Sequence, residues 1–255
     1  MSNWGNYCII LIVFIITERL INYNHLAGGF NILSGGILLK NIQIAIDGPA
    51  GAGKSTIAKK IATELNITYI DTGAMYRAIA YKTIVKNVDI LNEHEIIKLA
   101  ENTDIAYIEG ELFLDKRHVD KQLRCQEVNA KVSYVARIPE VRKILVNLQR
   151  KIASGNSIVM DGRDIGTFVL PNADVKIYLT ASLDERVYRR YLELTNGNQK
   201  INLEDIKQSI IERDKIDTER EYAPLIKAED ATVIDTTGLT IDQVVEKIIK
   251  LIKSI

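Results

Sequence analysis

Three observations predict an α/β fold, a parallel sheet wrapped by helices. Short apolar runs that read as buried strands alternate with segments of helical spacing. Residues 48–55 fit G-x-x-x-x-G-K-[ST], between a run carrying Ile42, Ile44 and Ile46 and a stretch in which Ile57, Ile61 and Leu65 recur at helical spacing. Polar residues follow the strand-like runs at their carboxyl ends, as in Asp71-Thr72-Gly73 and Asp161-Gly162-Arg163. A doubly wound sheet holds its ligand at those ends.

A strand, a glycine-rich turn and a helix N-terminus form a phosphate cradle. Unpaired N–H groups of the first helical turn point at the anion, and the glycines let the backbone approach it. Gly48, Pro49, Ala50, Gly51, Ala52, Gly53, Lys54, Ser55 and Thr56 are therefore expected to bind ATP. Lys54 would reach the β- and γ-phosphates, and the Ser55 hydroxyl would hold Mg²⁺. The loop implies a bound nucleoside triphosphate and leaves its use open.

The chain has 255 residues, 47% hydrophobic and 26% charged, the composition of an ordinary globular domain. Lys plus Arg and Asp plus Glu both number 33, so net charge is zero, which argues against a sequence-independent grip on nucleic acid. Cys8 and Cys125 lie far apart and form no metal or redox motif, which fits a reduced, cytoplasmic setting.

Cys8 to Ile16 is an unbroken apolar run. It is shorter than the roughly 20 residues that span a bilayer. Met1–Tyr7 lacks the basic residues of a signal peptide; a weak anchor is the competing reading, and no membrane association is expected. Residues 1–38 read as a non-functional extension. Leu39 would be a UUG start codon read as leucine, and Gly35-Gly36 a translated ribosome-binding sequence. A native N-terminus upstream of Leu39, found by mass spectrometry, would overturn this.

Further along, Ile67–Ile70 reads as a strand. Arg77, about a turn beyond Asp71-Thr72, could offer a planar donor fork to a phosphate. Asp104–Ile108 and Glu111–Asp115 suggest two short strands joined at Glu109-Gly110. Lys131–Ser154 reads as helical, interrupted near Ile138-Pro139. Ser157–Met160 is a buried-strand pattern. Asp161 at its end is placed to orient water on Mg²⁺, a contact made through water. Arg163 is a candidate phosphate ligand and Asp164 a candidate acceptor for a base. Val175–Thr180 and Val233–Asp235 read as strands, Leu203–Asp214 and Ile241–Ile252 as helices.

GPAGAGKST followed about twenty residues later by DTGAMYR resembles the start of a bacterial-type cytidylate kinase, a nucleoside monophosphate kinase. R-x-Q-E-V from Arg124, Ser133 and Pro139–Arg142 are similar to the family's acceptor-side insert. The string Asp161-Gly-Arg-Asp-Ile-Gly166 is similar to its D-G-R-D-[IM]-G motif, and Glu212–Arg220 with Ala223-Pro-Leu to E-R-D-x-x-D-x-x-R and A-P-L. Ile216 departs from the family, which often has arginine there.

The resemblance covers Ile42 to the C-terminal helix. It implies a P-loop NTPase fold with a parallel five-stranded sheet, a monophosphate-binding insert over about residues 72–155 and a short lid over about 184–200, within a kinase domain of 39–255. It implies phosphoryl transfer from ATP to CMP or dCMP with Mg²⁺, in a monomer. Lys54, Arg163 and the lid arginines Arg186, Arg189 and Arg190 would be catalytic. Ser133 and Arg142 would touch cytosine. Thr72, Arg77, Arg163, Asp164, Arg213, Asp217 and Arg220 would bind the rest of the acceptor. By analogy the Asp235–Gly238 loop would lie near adenine. The competing readings are a kinase with another acceptor, such as UMP, shikimate or dTMP, and a nucleotide-binding regulator without turnover.

Overall fold

The computed structural model describes residues 30–32, 38–108, 110–195 and 202–254. Expectations for residues 1–29 and 33–37, and for the outer part of the lid, lie outside them. Phe30–Ile32 (β1) and Leu38–Lys40 (β2) pair antiparallel ahead of the fold.

The chain then alternates as expected: Gln43–Asp47 (β3), Lys54–Leu65 (α1), Thr68–Asp71 (β4) and Thr72–Val85 (α2). Asn66 closes α1 in the left-handed conformation (φ 52°), which asparagine tolerates. Asp71 caps α2 by accepting from Ala74 N, so β4 runs straight into the helix carrying Arg77.

Glu93–Glu101 (α3) leads to a small antiparallel sheet of Ile105–Ile108 (β5), Glu111–Leu114 (β6) and Arg117–His118 (β7). The sequence reading missed β7, whose two residues are too short to show a period. Gln126–Ala136 (α4) and Pro139–Ala153 (α5) follow, parted at Ile138-Pro139 because proline suits a first helical turn.

Ile158–Asp161 (β8) is fully buried and followed by a π turn at Ile165–Val169, also unforeseen. Val175–Thr180 (β9), Leu183–Thr195 (α6), Leu203–Glu219 (α7), Thr232–Asp235 (β10) and Ile241–Lys253 (α8) complete the chain. Helix α7 continues past Asp214, because no Gly or Pro breaks it before Pro224. The capping box of Thr240 and Gln243 starts α8.

The main sheet is wholly parallel, in the order β10-β9-β3-β8-β4. On one face Ile44 and Ile46 of β3 and Ile177 and Leu179 of β9 pack with Ile57, Ile61, Val244 and Ile248 of α1 and α8. On the other, Ala45, Ile70 and Met160 meet Val146 of α5 and Ile165. The region between β4 and β8 has its own core, with Met75 and Ile79 of α2 against Leu112, Leu123, Val132 and Leu145. Val187, Ile206 and Ile210 join α6 to α7.

Register sets Asp161 beside Ile46 on one side and Asp71 on the other, and Asp47 beside Tyr178. Four strand ends thus open into one crevice. No helix among the described residues is long and apolar enough to cross a membrane.

Candidate active site

The loop after β3 wraps the N-terminus of α1. Gly48 has φ 146°, and a Cβ there would lie 2.0 Å from the Leu179 carbonyl oxygen, so only glycine fits against β9. Gly53, at φ 89°, makes the turn into α1. Lys54 is only 6% exposed, and its ammonium donates to the Pro49 carbonyl at 2.7 Å, holding it over the loop. Burial, then the neighbouring Arg163, keeps its pKa well below the usual lysine range. Thr56, by contrast, is exposed on α1.

Ser55 Oγ donates to Asp161 Oδ2 at 2.8 Å, and Tyr69 OH donates to Oδ1 at the same distance. Burial and the adjacent Asp71 raise the Asp161 carboxyl to about 6. An oxygen-only donor pair facing the phosphate loop fits Mg²⁺, which binds through few protein ligands and keeps its waters. Among the described residues no His, Cys, Asp and Glu cluster forms an all-protein metal cage.

The acceptor-side candidates form a chain of buried ion pairs. Arg142 is 1% exposed; it donates to Asp164 Oδ2 at 2.5 Å and to the Ala136 carbonyl at 3.1 Å, and lies over the Tyr76 ring. Arg220 lies 3.6 Å from the other Asp164 oxygen and 3.5 Å from Asp217. Arg163 Nε donates to Asp217 Oδ2 at 2.7 Å. Arg163 and its neighbours hold the Asp217 carboxyl below the ordinary range against the effect of burial. Arg213 is pushed down to about 10 by burial and by Arg163, and its Nε is sealed without a hydrogen-bond partner among the described residues.

Arg77 pairs with Asp71 at 2.6 Å, and the Thr72 hydroxyl donates to the Asp161 carbonyl at 2.8 Å, tying α2 to β8. Ser133 is buried on α4, with no side-chain hydrogen bond to the other acceptor-side candidates among the described residues.

The three lid arginines point to different partners. Arg186 pairs with Asp214 and donates to the Ala50 carbonyl of the phosphate loop. Asp214 in turn accepts from Ala50 N at 3.1 Å. Arg189 gives both terminal nitrogens to Thr236, at 2.9 and 2.8 Å, on the loop after β10. Arg190 pairs with Glu193 and is the most exposed of the three.

Sequence reasoning missed four residues here. Asp47 takes two backbone N–H groups from the turn after β8; Tyr69 supports Asp161; Asp214 holds Arg186; Thr236 receives Arg189. Asp214 stands within the Glu212–Arg220 run, Thr236 within the Asp235–Gly238 loop and Asp47 beside the phosphate loop, but their partners lie 28, 47 and 118 residues away, at distances no local pattern reveals.

A cradle for a polyphosphate faces a cluster of arginines suited to a second anion, across one crevice at the strand ends. That is the arrangement of a phosphotransferase of the P-loop class. The profile of the family described as "Cytidylate kinase" matches residues 44–254. The chain is 58% identical over 214 residues to the cytidylate kinase of Alkaliphilus oremlandii, covering 84% of this chain and 99% of that one. It is 53% identical over 209 residues to that of Clostridioides difficile, covering 82% and 97%. With that of Bacillus cereus (strain ATCC 14579) the identity is 47% over 220 residues, covering 85% and 98%. The chain belongs to the cytidylate kinase family.

Proposed function

We propose that this enzyme carries out its family's reaction, transfer of the γ-phosphoryl group of ATP to CMP or dCMP, through the residues gathered in the crevice. The products are ADP and CDP or dCDP. A phosphate oxygen of the acceptor attacks in line, and no covalent intermediate is needed. Catalysis consists of positioning and charge neutralisation. The observation that carries this reading is the gathering of Lys54, Arg163 and Arg213 in one crevice: burial, then the adjacent Arg163, lowers the pKa of Lys54 and of Arg213, while Asp217 holds Arg163 charged against its burial. Such a surplus of buried cations is relieved by a bound polyanion.

In this reading the Gly48–Thr56 loop holds ATP, and Lys54 follows the transferring group. Arg77, Arg163 and Arg213 bind the acceptor phosphate, and Asp217 and Arg220 its ribose side. Ser133, Arg142 and Asp164 read the base. Ser55 would hold Mg²⁺ directly and Asp161 through water, and the ion would supply neutralising charge for the triphosphate. Zero net charge fits small-molecule substrates rather than nucleic acid, and the free, exposed Cys125 among the described residues fits a reduced, cytoplasmic setting.

A panel of CMP, dCMP, UMP, dTMP and shikimate in a coupled ADP assay tests the acceptor. CMP or dCMP should give the highest kcat/KM, and a preference for any other acceptor would refute the reading. The lid is tested by replacing Arg186, Arg189 and Arg190 singly with lysine, which keeps charge and removes the planar fork. Arg186, against the phosphate loop, or Arg190 should lose kcat by at least about tenfold, the loss expected when a bidentate charge-assisted contact becomes a single one. Full turnover in all three variants would remove the lid from the mechanism.

A further inference from the structure

We propose that Asp47 is a positioning residue for the acceptor site, clamping the turn that carries Arg163 and Asp164 to the strand that launches the phosphate loop. The inference rests on the reading that Arg163 and Asp164 bind the acceptor.

The turn Gly162–Gly166 is held at both ends by consecutive residues of β3. Gly162 N donates to the Ile46 carbonyl at 3.0 Å. Ile165 N and Gly166 N donate to Asp47 Oδ1 and Oδ2 at 2.8 and 2.7 Å. Ile165 and Gly166 open the π turn, so their N–H groups have no carbonyl within it to meet. They are buried, as is Asp47 at 5% exposure.

One carboxylate answers both donors, each with its own oxygen, and two acceptors side by side are what an ionised carboxylate alone provides. An asparagine of the same shape would turn an amide N–H₂ against one of the two N–H groups. Between the clamped ends stand Arg163, bonded to Asp217, and Asp164, which holds Arg142 and Arg220. Asp47 directly precedes Gly48. The donor and acceptor halves of the site therefore share one anchor.

Burial raises the Asp47 carboxyl to about 7 against the pull of the two N–H groups and of Lys54 on α1, with Asp164 adding to the rise. Tyr178 faces it from β9. The Lys176 stem lies along Gly166, but its ammonium turns away to Asp230.

The test is a double-mutant cycle of Asp47→Asn and Asp164→Asn on the full chain, with kcat and KM for CMP and the dissociation constant for ATP. D47N should lower kcat/KM for CMP about tenfold, mainly through KM, with ATP affinity within about twofold of wild type, since one buried hydrogen bond becomes a donor–donor conflict. The two losses should be less than multiplicative, because both act on one turn. Multiplicative losses, or ATP affinity falling as far as CMP use, would overturn the inference alone. An unaltered D164N protein would overturn the acceptor-site reading and this inference with it.

A second measurement reads the clamp without activity. In wild type the Ile165 and Gly166 amides, each bonded to an Asp47 oxygen, should be strongly protected from hydrogen exchange, and D47N should lower that protection at these two positions first. Equal protection of both amides in wild type and D47N would overturn the clamp.

Discussion

Lys54→Ala should lower kcat on the order of 10²–10³-fold while KM for CMP changes little, the loss typical of removing one strong preorganised donor. The ammonium lies against the loop, 2.7 Å from the Pro49 carbonyl, whereas the Arg142–Asp164 and Arg163–Asp217 pairs do not involve it. In the proposed mechanism it would act on charge that moves during transfer rather than on CMP as it docks, so the effect should fall on turnover. Its site is already crowded with cations: burial and Arg163 disfavour the charged lysine, and Asp161 favours it. Alanine relieves that strain in the free protein, so the variant should fold with a thermal midpoint no lower than wild type. Steady-state kinetics with a thermal melt separate the two effects. Near-normal turnover would show that the loop is not catalytic.

The second large effect concerns base choice. Cytosine presents an amino donor at C4 and an acceptor at N3, where uracil presents an oxygen and an N–H. In the proposed reading a carboxylate at Asp164, helped by the Ser133 hydroxyl, would accept from the amino group, and Arg142 would offer only donors. Uracil would reverse both contacts in a desolvated pocket. Such a mismatch can reach about 10⁴-fold, since unpaired buried groups cost roughly 1–3 kcal/mol each, more if charged. Wild type should therefore strongly prefer CMP over UMP in kcat/KM.

The structure adds a condition to this experiment. Asp164 is the buried counter-ion of Arg142, which is 1% exposed, and it also faces Arg220. Asp164→Ala strands those cations, and breaking a buried pair costs about 3–5 kcal/mol of stability. The alanine variant should thus lose CMP activity and melt earlier. Asp164→Asn keeps one acceptor oxygen for Arg142 and should narrow the CMP/UMP ratio with a smaller loss of stability. Ser133→Ala should narrow it more weakly, since a hydroxyl is a neutral partner. An unchanged ratio in the Asp164→Asn and Ser133→Ala proteins would mean that other residues read the base.

Much of this molecule is legible one segment at a time. The strand before Gly48, the loop and the helix after Lys54 announce themselves by spacing, because each is a local structure with a local period. The break at Ile138-Pro139 and the strand Val175–Thr180 are equally readable. So is the presence of arginines and aspartates at strand ends, since α/β sheets place ligands there. The π turn at Ile165–Val169 and the two-residue β7 carry no periodic signal and escaped notice.

The sequence by itself determined the α/β alternation, the phosphate loop and the kinds of residue that would surround a nucleotide. Tertiary structure alone decided how those residues share their charges: Arg142 with Asp164, Arg163 with Asp217, Arg189 with Thr236, and Asp47 with the N–H groups of Ile165 and Gly166. A hydrogen bond acts over about 3 Å, whereas its partners here stand tens to more than a hundred residues apart along the chain. Which donor meets which acceptor follows from the register of parallel strands and from where α5 and α7 cross the strand ends, and no local pattern encodes either.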